Sequence, residues 1–136
     1  AGVQQDTDMT TPVYRLKIRS HFCAAHQLRH YQGKCENLHG HNFIVEAEIE
    51  GRRLDSQTGI LVDFKVLKKE LKDVLEELDH CHLNELPEFK QQNPSSEHLA
   101  RYIHRRLGQR LGSEDIRVRF VAVMESEGST AVYLEE

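Results

Sequence analysis

Residues 43–49 read FIVEAEI, with apolar side chains at every second position. A period of two places such side chains on one face of a β-strand. Residues 13–22, VYRLKIRSHF, alternate in the same way, so one of their faces should be buried. The two runs predict a pair of adjacent antiparallel strands.

Downstream of these runs the apolar period becomes that of a helix. Residues 60–64, ILVDF, lead into a first helix with Asp63 as a candidate cap, and we expect it to end near residues 79–80. Residues 81–94 carry two prolines and several turn formers, which predicts a loop. A second helix should begin at residues 93–96, NPSS, where cap-forming residues and a proline precede the spaced leucines up to Leu111.

The C-terminal part predicts two more strands, at residues 116–124 and 130–134, separated by a turn at 127–129. The element order favours an α+β fold in one domain over residues 1–136, with two helices packed on one face of a four-stranded antiparallel sheet. Residues 1–12 are expected to form a flexible N-terminal arm. The second sheet face lacks a cover in so short a chain, which favours a homo-oligomer.

Composition narrows the classes of function. The 136 residues include 38% hydrophobic and 29% charged side chains, as in a globular protein, and the net charge of −4 disfavours general nucleic-acid binding. The longest apolar run, near residues 120–124, is far shorter than the roughly 20 residues of a membrane span, so no membrane partner is expected. Three cysteines without a CxxC pair favour a reducing compartment, with the cytoplasm as the default.

A candidate zinc site lies in residues 34–41, KCENLHGH. His39 and His41 are two positions apart in an extended chain, so their imidazoles should project to the same side, and Gly40 lets the backbone approach closely. His26, at the end of the first strand, could supply a third nitrogen if the two strands are neighbours. Three histidines with one open position are a recurring arrangement in catalytic zinc sites.

Cys35 has two physically different roles open to it. As a ligand it would close a tetrahedral structural site, whereas as a free thiol beside a cation it would have a lowered pKa and act as a base or nucleophile. A non-catalytic zinc module, closed by Cys35 or Cys81, is therefore one alternative to an enzyme. A hydrolase in which zinc activates water is another.

Three acidic residues outside this motif each allow a functional and a purely structural interpretation. Asp79 beside His80 could form a proton relay, but adjacent side chains rarely face each other, and a solvated helix end is the alternative. Glu97 could merely complement the start of its helix, and Glu125 could merely follow a strand.

Taken together, five segments resemble the 6-pyruvoyl-tetrahydropterin synthase family. They are FCAAH ending at His26, CENLHGHN from Cys35, LDHCHLN from Leu78, NPSSEHLA from Asn93, and Glu125 after FVAVM. The resemblance covers most of the chain from about Val13. It implies a tunnelling fold, in which sheets assemble into a trimeric barrel that often stacks as a hexamer, a dimer of trimers, with sites at subunit interfaces.

The resemblance also implies roles for matching residues. His26, His39 and His41 would bind zinc, Cys35 would be the base, and Asp79 with His80 the relay. Glu125 would anchor the pterin, with Glu97 lining the same pocket. The implied substrate is 7,8-dihydroneopterin triphosphate, for whose phosphates Lys34, Arg29 and Lys17 are the candidate cations.

The spacing Cys-x3-His-Gly-His is similar to that of the 6-carboxy-5,6,7,8-tetrahydropterin synthases of queuosine biosynthesis, whereas the animal biopterin branch resembles Cys-x5-His. The queuosine branch would release acetaldehyde and triphosphate and leave 6-carboxytetrahydropterin. Glu36 keeps a second activity open, because Cys-Glu-x2-His-Gly-His also resembles a dual branch that forms 6-hydroxymethyl-7,8-dihydropterin for folate. A 6-pyruvoyl-tetrahydropterin synthase remains a further alternative. Cys23 stands where the family often has serine, which we expect to be tolerated.

Overall fold

A computed structural model of the protein describes residues 10–33 and 36–136. Its elements are β1 (Tyr14–His26), β2 (His39–Gly51), α1 (Phe64–Glu76), α2 (Ser96–Leu111), β3 (Ile116–Ser126) and β4 (Ser129–Leu134). Short 3-10 turns, Leu83–Glu85 and Pro87–Phe89, lie between the helices. Most of the predicted arm, Lys34 and Cys35 fall outside the described residues.

The four strands form one antiparallel sheet in the order β1-β2-β3-β4, and both helices contribute to the core on one of its faces. This confirms the predicted α+β class. The predicted helix caps are also confirmed, since the side chain of Asp63 accepts a hydrogen bond from the Lys65 N–H and that of Ser95 accepts one from His98. In the described part of the chain, no helix has the length and apolar character that a bilayer crossing requires.

Both N-terminal strands are longer than the apolar pattern predicts. β1 continues to His26 and β2 begins at His39, because the two strands pair without a break from Tyr14↔Gly51 to His26↔His39. Alternation of buried and exposed residues persists along β1, with Ile18, Phe22 and His26 all facing the core. The HGH motif is therefore part of the sheet rather than a segment leading into it.

The sheet face away from the helices carries ion pairs on its β1 side and apolar side chains on its β4 side, where Val132 and Leu134 are exposed. Arg15 and Arg117 both contact the carboxylate of Glu50, at 2.9 and 3.0 Å, and Arg19 contacts Glu46 at 2.6 Å. The charged part can meet water, but the apolar part near β4 keeps the packing reason for a cover. The free edge of β1 is a second candidate for a subunit contact, because β1 pairs along one edge with β2 and, among the described residues, along the other edge only through Ala25 and His82.

Glu77, just after α1, joins the two helices. Its carboxylate accepts hydrogen bonds from Arg106 Nε and Nη2, at 3.0 and 2.7 Å, and from the Tyr102 hydroxyl at 2.6 Å. The Arg106 guanidinium lowers the pKa of Glu77, while burial and the same carboxylate raise the pKa of Tyr102 to about 12. This contact fixes the point where α1 ends and the chain turns towards Asp79.

We expect Glu77→Gln to lower the free energy of unfolding by roughly 1–2 kcal/mol at neutral pH. Because the pKa of Glu77 is lowered in the fold, its stabilisation is present above about pH 4.3 and is lost as the pH falls through the folded-state value. Denaturant unfolding between pH 7 and pH 2 should therefore show that the free energy of unfolding falls less on acidification in the variant than in wild type. Glu76→Gln, at an exposed neighbouring position, is the control; equal acid profiles for Glu77→Gln and wild type would contradict this account.

Candidate metal centre

Three imidazoles meet at the end of the β1–β2 ladder. His26 and His39 are direct cross-strand partners, and His41 lies two residues further along β2. Residues opposite each other in a sheet share a face, as do residues two apart, so all three side chains project to the helix side. The ring centroids lie 4.8 Å apart for His26 and His39, 4.6 Å for His39 and His41, and 5.4 Å for His26 and His41.

Backbone carbonyls orient two of these rings. Nδ1 of His26 lies 2.8 Å from the carbonyl oxygen of Pro94, and Nδ1 of His39 lies 2.8 Å from that of Asn37. A carbonyl can only accept, so each Nδ1 donates its proton and the neutral ring presents a lone pair on Nε2. Metal-binding histidines are usually held by such a contact on the second nitrogen.

Glu125 brings a carboxylate to the same point. It follows Met124, which pairs with Ile44 of β2, and its Oε1 lies 3.0 Å from Nε2 of His26 and 2.9 Å from Nε2 of His41. One ligand atom from each of the four residues lies within 4.8 Å of every other. Three imidazole nitrogens and a carboxylate oxygen suit a divalent transition metal, so the residues present fit a metal site.

The second motif lines the same cleft as the first. An open cleft of about 510 Å³ has Gly40 and His41 on one side and His80 and His82 on another. The structure thus brings the HGH motif and the Asp79–His80 pair together, although 39 positions separate His41 from His80 along the chain. A small molecule in this cleft could touch both.

Asp79 and His80 do face each other, contrary to the general expectation for adjacent residues. Oδ2 of Asp79 lies 3.0 Å from Nδ1 of His80, and Oδ1 accepts a hydrogen bond from the Cys23 N–H at 2.9 Å. The Cys23 N–H lowers the pKa of Asp79, and the neighbouring imidazole acts in the same direction. His80 has a φ of 57°, in the left-handed region, where its N–H donates to the Cys23 carbonyl. Backbone strain of this kind is frequent at functional sites.

The sequence of this chain matches that of a known protein family. The model of the family described as 6-pyruvoyl tetrahydropterin synthase matches residues 15–136. The chain belongs to this family of enzymes. The match includes His26, His39, His41, Asp79, His80 and Glu125, so the cleft and the candidate metal centre lie inside the family domain.

Relatives within the 6-pyruvoyl tetrahydropterin synthase family carry several names. A 6-carboxy-5,6,7,8-tetrahydropterin synthase of Synechocystis is 41% identical over 90 residues, 63% of this chain and 68% of that protein. A dihydroneopterin monophosphate aldolase of Pyrococcus furiosus is 33% identical over 82% of this chain and 89% of its own length. The solved structure of the Caenorhabditis elegans 6-pyruvoyl tetrahydropterin synthase superposes with a TM-score of 0.80 at 26% identity, covering 95% of this chain and all of that one.

Two other acidic residues predicted for the site do not contact the imidazoles. Glu97 is exposed in the first turn of α2 and is not among the residues that line the cleft. Glu36 ties a loop together instead, because its Oε1 accepts a hydrogen bond from the Leu28 N–H at 3.1 Å and its own N–H donates to the Leu28 carbonyl at 2.9 Å.

Two asparagines that no sequence pattern singled out hold the segment after His26. Asn84 forms paired hydrogen bonds with the backbone of Gln27, at 2.9 and 2.8 Å, and Asn93 does the same with Arg29, at 2.8 and 2.9 Å. Both lie in the quoted motifs LDHCHLN and NPSSEHLA, but spacing alone does not show which backbone they contact.

The basic residues predicted to contact the triphosphate have different positions in the structure. The Arg29 guanidinium donates to the carbonyls of Asn84, Phe89 and Gln92, so it is a structural group. Lys17 lies 5.8 Å from the centroid of the Phe120 ring. Lys34, the remaining candidate, lies outside the described residues.

The cysteines that the structure describes do not join the imidazole cluster. Cys81 Sγ contacts the carbonyls of Glu77 and Asp79, at 3.7 and 3.4 Å, while Cys23 Sγ lies 2.7 Å from Oδ1 of Asn42. Among residues 10–33 and 36–136, the group of candidate ligands contains no sulfur. Cys81 is therefore not placed to close a structural zinc site.

We expect His39→Ala to weaken Zn²⁺ binding by more than about 100-fold, because loss of a direct ligand should exceed the 10–100-fold typical of its supporting contacts. Competition with a chromophoric chelator measures this affinity, with circular dichroism to verify the fold. The control is His21→Ala, which removes an exposed imidazole from β1. Equal affinities for His39→Ala and His21→Ala would rule out this centre.

Proposed function

We propose that the protein is a zinc-dependent 6-carboxy-5,6,7,8-tetrahydropterin synthase, a lyase that converts 7,8-dihydroneopterin triphosphate to 6-carboxytetrahydropterin, acetaldehyde and triphosphate in queuosine (7-deazaguanine) biosynthesis. The observation that carries the proposal is the convergence of three imidazoles beside a cleft that is also lined by His80, the partner of Asp79. The Cys35-x3-His39-Gly-His41 spacing and the name of the Synechocystis relative support this branch of the family.

Zinc is the proposed metal because His26, His39 and His41 match the three-histidine donor set of catalytic zinc sites. When bound, zinc would supply Lewis-acid chemistry, which favours negative charge on a substrate oxygen. The chain's own contribution is to bring the three imidazoles to one point and to orient the Nε2 lone pairs of two of them. The carbonyls of Pro94 and Asn37 do this by accepting from Nδ1 of His26 and His39.

Cys35 is the proposed base that removes a proton from a side-chain carbon of the substrate. A thiolate is needed for this, and a nearby cation would favour it by lowering the pKa of the thiol. Cys35 lies four residues before His39, close in sequence to the imidazole cluster.

Asp79 and His80 are proposed to return or shuttle protons at the substrate side chain. The 3.0 Å contact to Asp79 occupies Nδ1 of His80 and leaves Nε2 as the nitrogen that can exchange a proton. Because the other oxygen of Asp79 is held by the Cys23 N–H, the carboxylate is fixed in position and can support the charged imidazole.

Glu125 is proposed to anchor the pterin by accepting paired hydrogen bonds from its amino group and ring N–H, which would orient the reacting carbon. Glu97 is proposed to line the same pocket and Lys34 to contact the triphosphate. A homo-oligomer, with a hexamer of two stacked trimers as the proposed form, could bring these residues from neighbouring chains into one site. The proposed location is the cytoplasm.

Glu36 and the Pyrococcus relative support a second candidate, cleavage to 6-hydroxymethyl-7,8-dihydropterin for folate. In the described geometry the Glu36 carboxylate binds the Leu28 N–H, so it would have to leave that contact to act on substrate. We therefore place this activity second.

Product analysis tests the proposal directly. Zinc-loaded protein incubated with 7,8-dihydroneopterin triphosphate should yield acetaldehyde, triphosphate and 6-carboxytetrahydropterin, identified by mass. 6-Hydroxymethyl-dihydropterin as the main product would instead favour the folate branch, and a 6-pyruvoyl product the biopterin branch.

Cys35→Ala separates this mechanism from its rivals. Under the proposal, the variant loses turnover by at least about 100-fold, the scale of a general base, and retains zinc. A hydrolase that relies on activated water would lose little activity. In a structural zinc module closed by Cys35, the variant would lose zinc and unfold.

A further inference from the structure

Glu125 stands at the position where a fourth ligand would complete the histidine cluster. Its Oε1 lies 3.0, 3.9 and 2.9 Å from Nε2 of His26, His39 and His41, respectively. Ligand atoms about 2.0–2.1 Å from a tetrahedral zinc ion lie roughly 3.3 Å from one another, and the three distances bracket that value.

The ring orientations imply that a cation belongs between these atoms. Nδ1 of His26 and Nδ1 of His39 both donate to backbone carbonyls, so the neutral rings turn lone pairs on Nε2 towards the Glu125 oxygen. Lone pairs and a carboxylate repel one another unless a proton or a metal ion lies between them, and one proton can bridge only one of the three nitrogens to the carboxylate. A divalent ion satisfies all four groups at once.

The carboxylate is nevertheless free enough to leave. Its second oxygen, Oε2, has a long contact of 3.4 Å with the Ser96 hydroxyl, and the Glu125 side chain is 34% exposed. By comparison, His26 is 2% exposed, and its Nδ1 is held by the buried Pro94 carbonyl. Glu125 is thus held less tightly than His26.

Recognition of a pterin would require the same atoms. Paired hydrogen bonds from the amino group and ring N–H use both carboxylate oxygens in one plane, so the pterin and the cluster compete for Oε1.

We propose that Glu125 is the fourth ligand of the metal in the substrate-free protein and exchanges to the pterin ring when substrate binds. The exchange rests on the proposed function, and it would open the metal's fourth position at the moment when a substrate hydroxyl arrives. Pterin binding and metal coordination are then coupled through one side chain, and the coupling is reciprocal.

The first arm of the test measures the ligand alone. Glu125→Gln should weaken Zn²⁺ binding by about 10-fold or more and alter the visible absorption spectrum of the Co²⁺-loaded, substrate-free protein. Glu127→Gln removes an exposed carboxylate two residues away and should behave as wild type. Wild-type affinity and an unchanged cobalt spectrum in Glu125→Gln would overturn the assignment of Glu125 as a ligand.

The second arm measures the exchange, with pterin itself as the probe because it has the amino and ring N–H groups but no side-chain hydroxyls. Pterin should change the cobalt spectrum of the wild-type protein and leave that of Glu125→Gln unchanged. If pterin binds, as measured by calorimetry, without a spectral change, the exchange is wrong. If pterin does not bind, the proposed function and the exchange both fail, while the first arm still decides the ligand.

Discussion

The site depends on the antiparallel pairing of β1 with β2, whose last pair is His26 and His39. Because side chains alternate across a sheet, a slip of one residue would send His39 and His41 to the opposite face and separate them from His26. The register is held by the buried face that the same strands present to the helices. Phe22 and Phe43, the partners four residues further along each strand from the His26–His39 pair, stack with their ring centroids 4.8 Å apart beneath the imidazoles. The packing of the core therefore also determines the geometry of the candidate metal centre.

A second constraint comes from the segment that enters α2. The Pro94 carbonyl orients His26, and the Ser96 hydroxyl makes a long contact with Glu125, so the residues on either side of the Ser95 cap contact two members of the cluster. Asn93, one residue earlier, fastens this segment to the backbone of Arg29 beyond the end of β1. The helix cap and the candidate metal centre are thus parts of one hydrogen-bonded arrangement. A substitution in either should alter the geometry of the other.

Much of the fold could be predicted from periodicity, because β1, β2, β3 and both helices have a buried face of the expected spacing. The ends of β1 and β2 could not be predicted in this way, since the apolar alternation stops at Phe43 while the backbone hydrogen bonds continue through Gly40 to His39. The grouping of His26 with His39 and His41 could be anticipated once the strands were taken as neighbours. The position of Glu125 beside the imidazoles could not be anticipated from the pattern, because it depends on the register between β2 and β3, which no local pattern encodes. Nor could the Asp79–His80 contact, which requires a left-handed backbone at His80.

X-ray absorption at the zinc edge of the zinc-loaded, substrate-free protein tests the central claim most directly. We expect a shell of nitrogen and oxygen atoms at about 2.0–2.1 Å, with outer-shell scattering from three imidazole rings and no sulfur. A zinc–sulfur distance of about 2.3 Å would mean that a cysteine closes the site, and fewer than three imidazoles would mean that the cluster does not act as one ligand set. Either result would contradict the account.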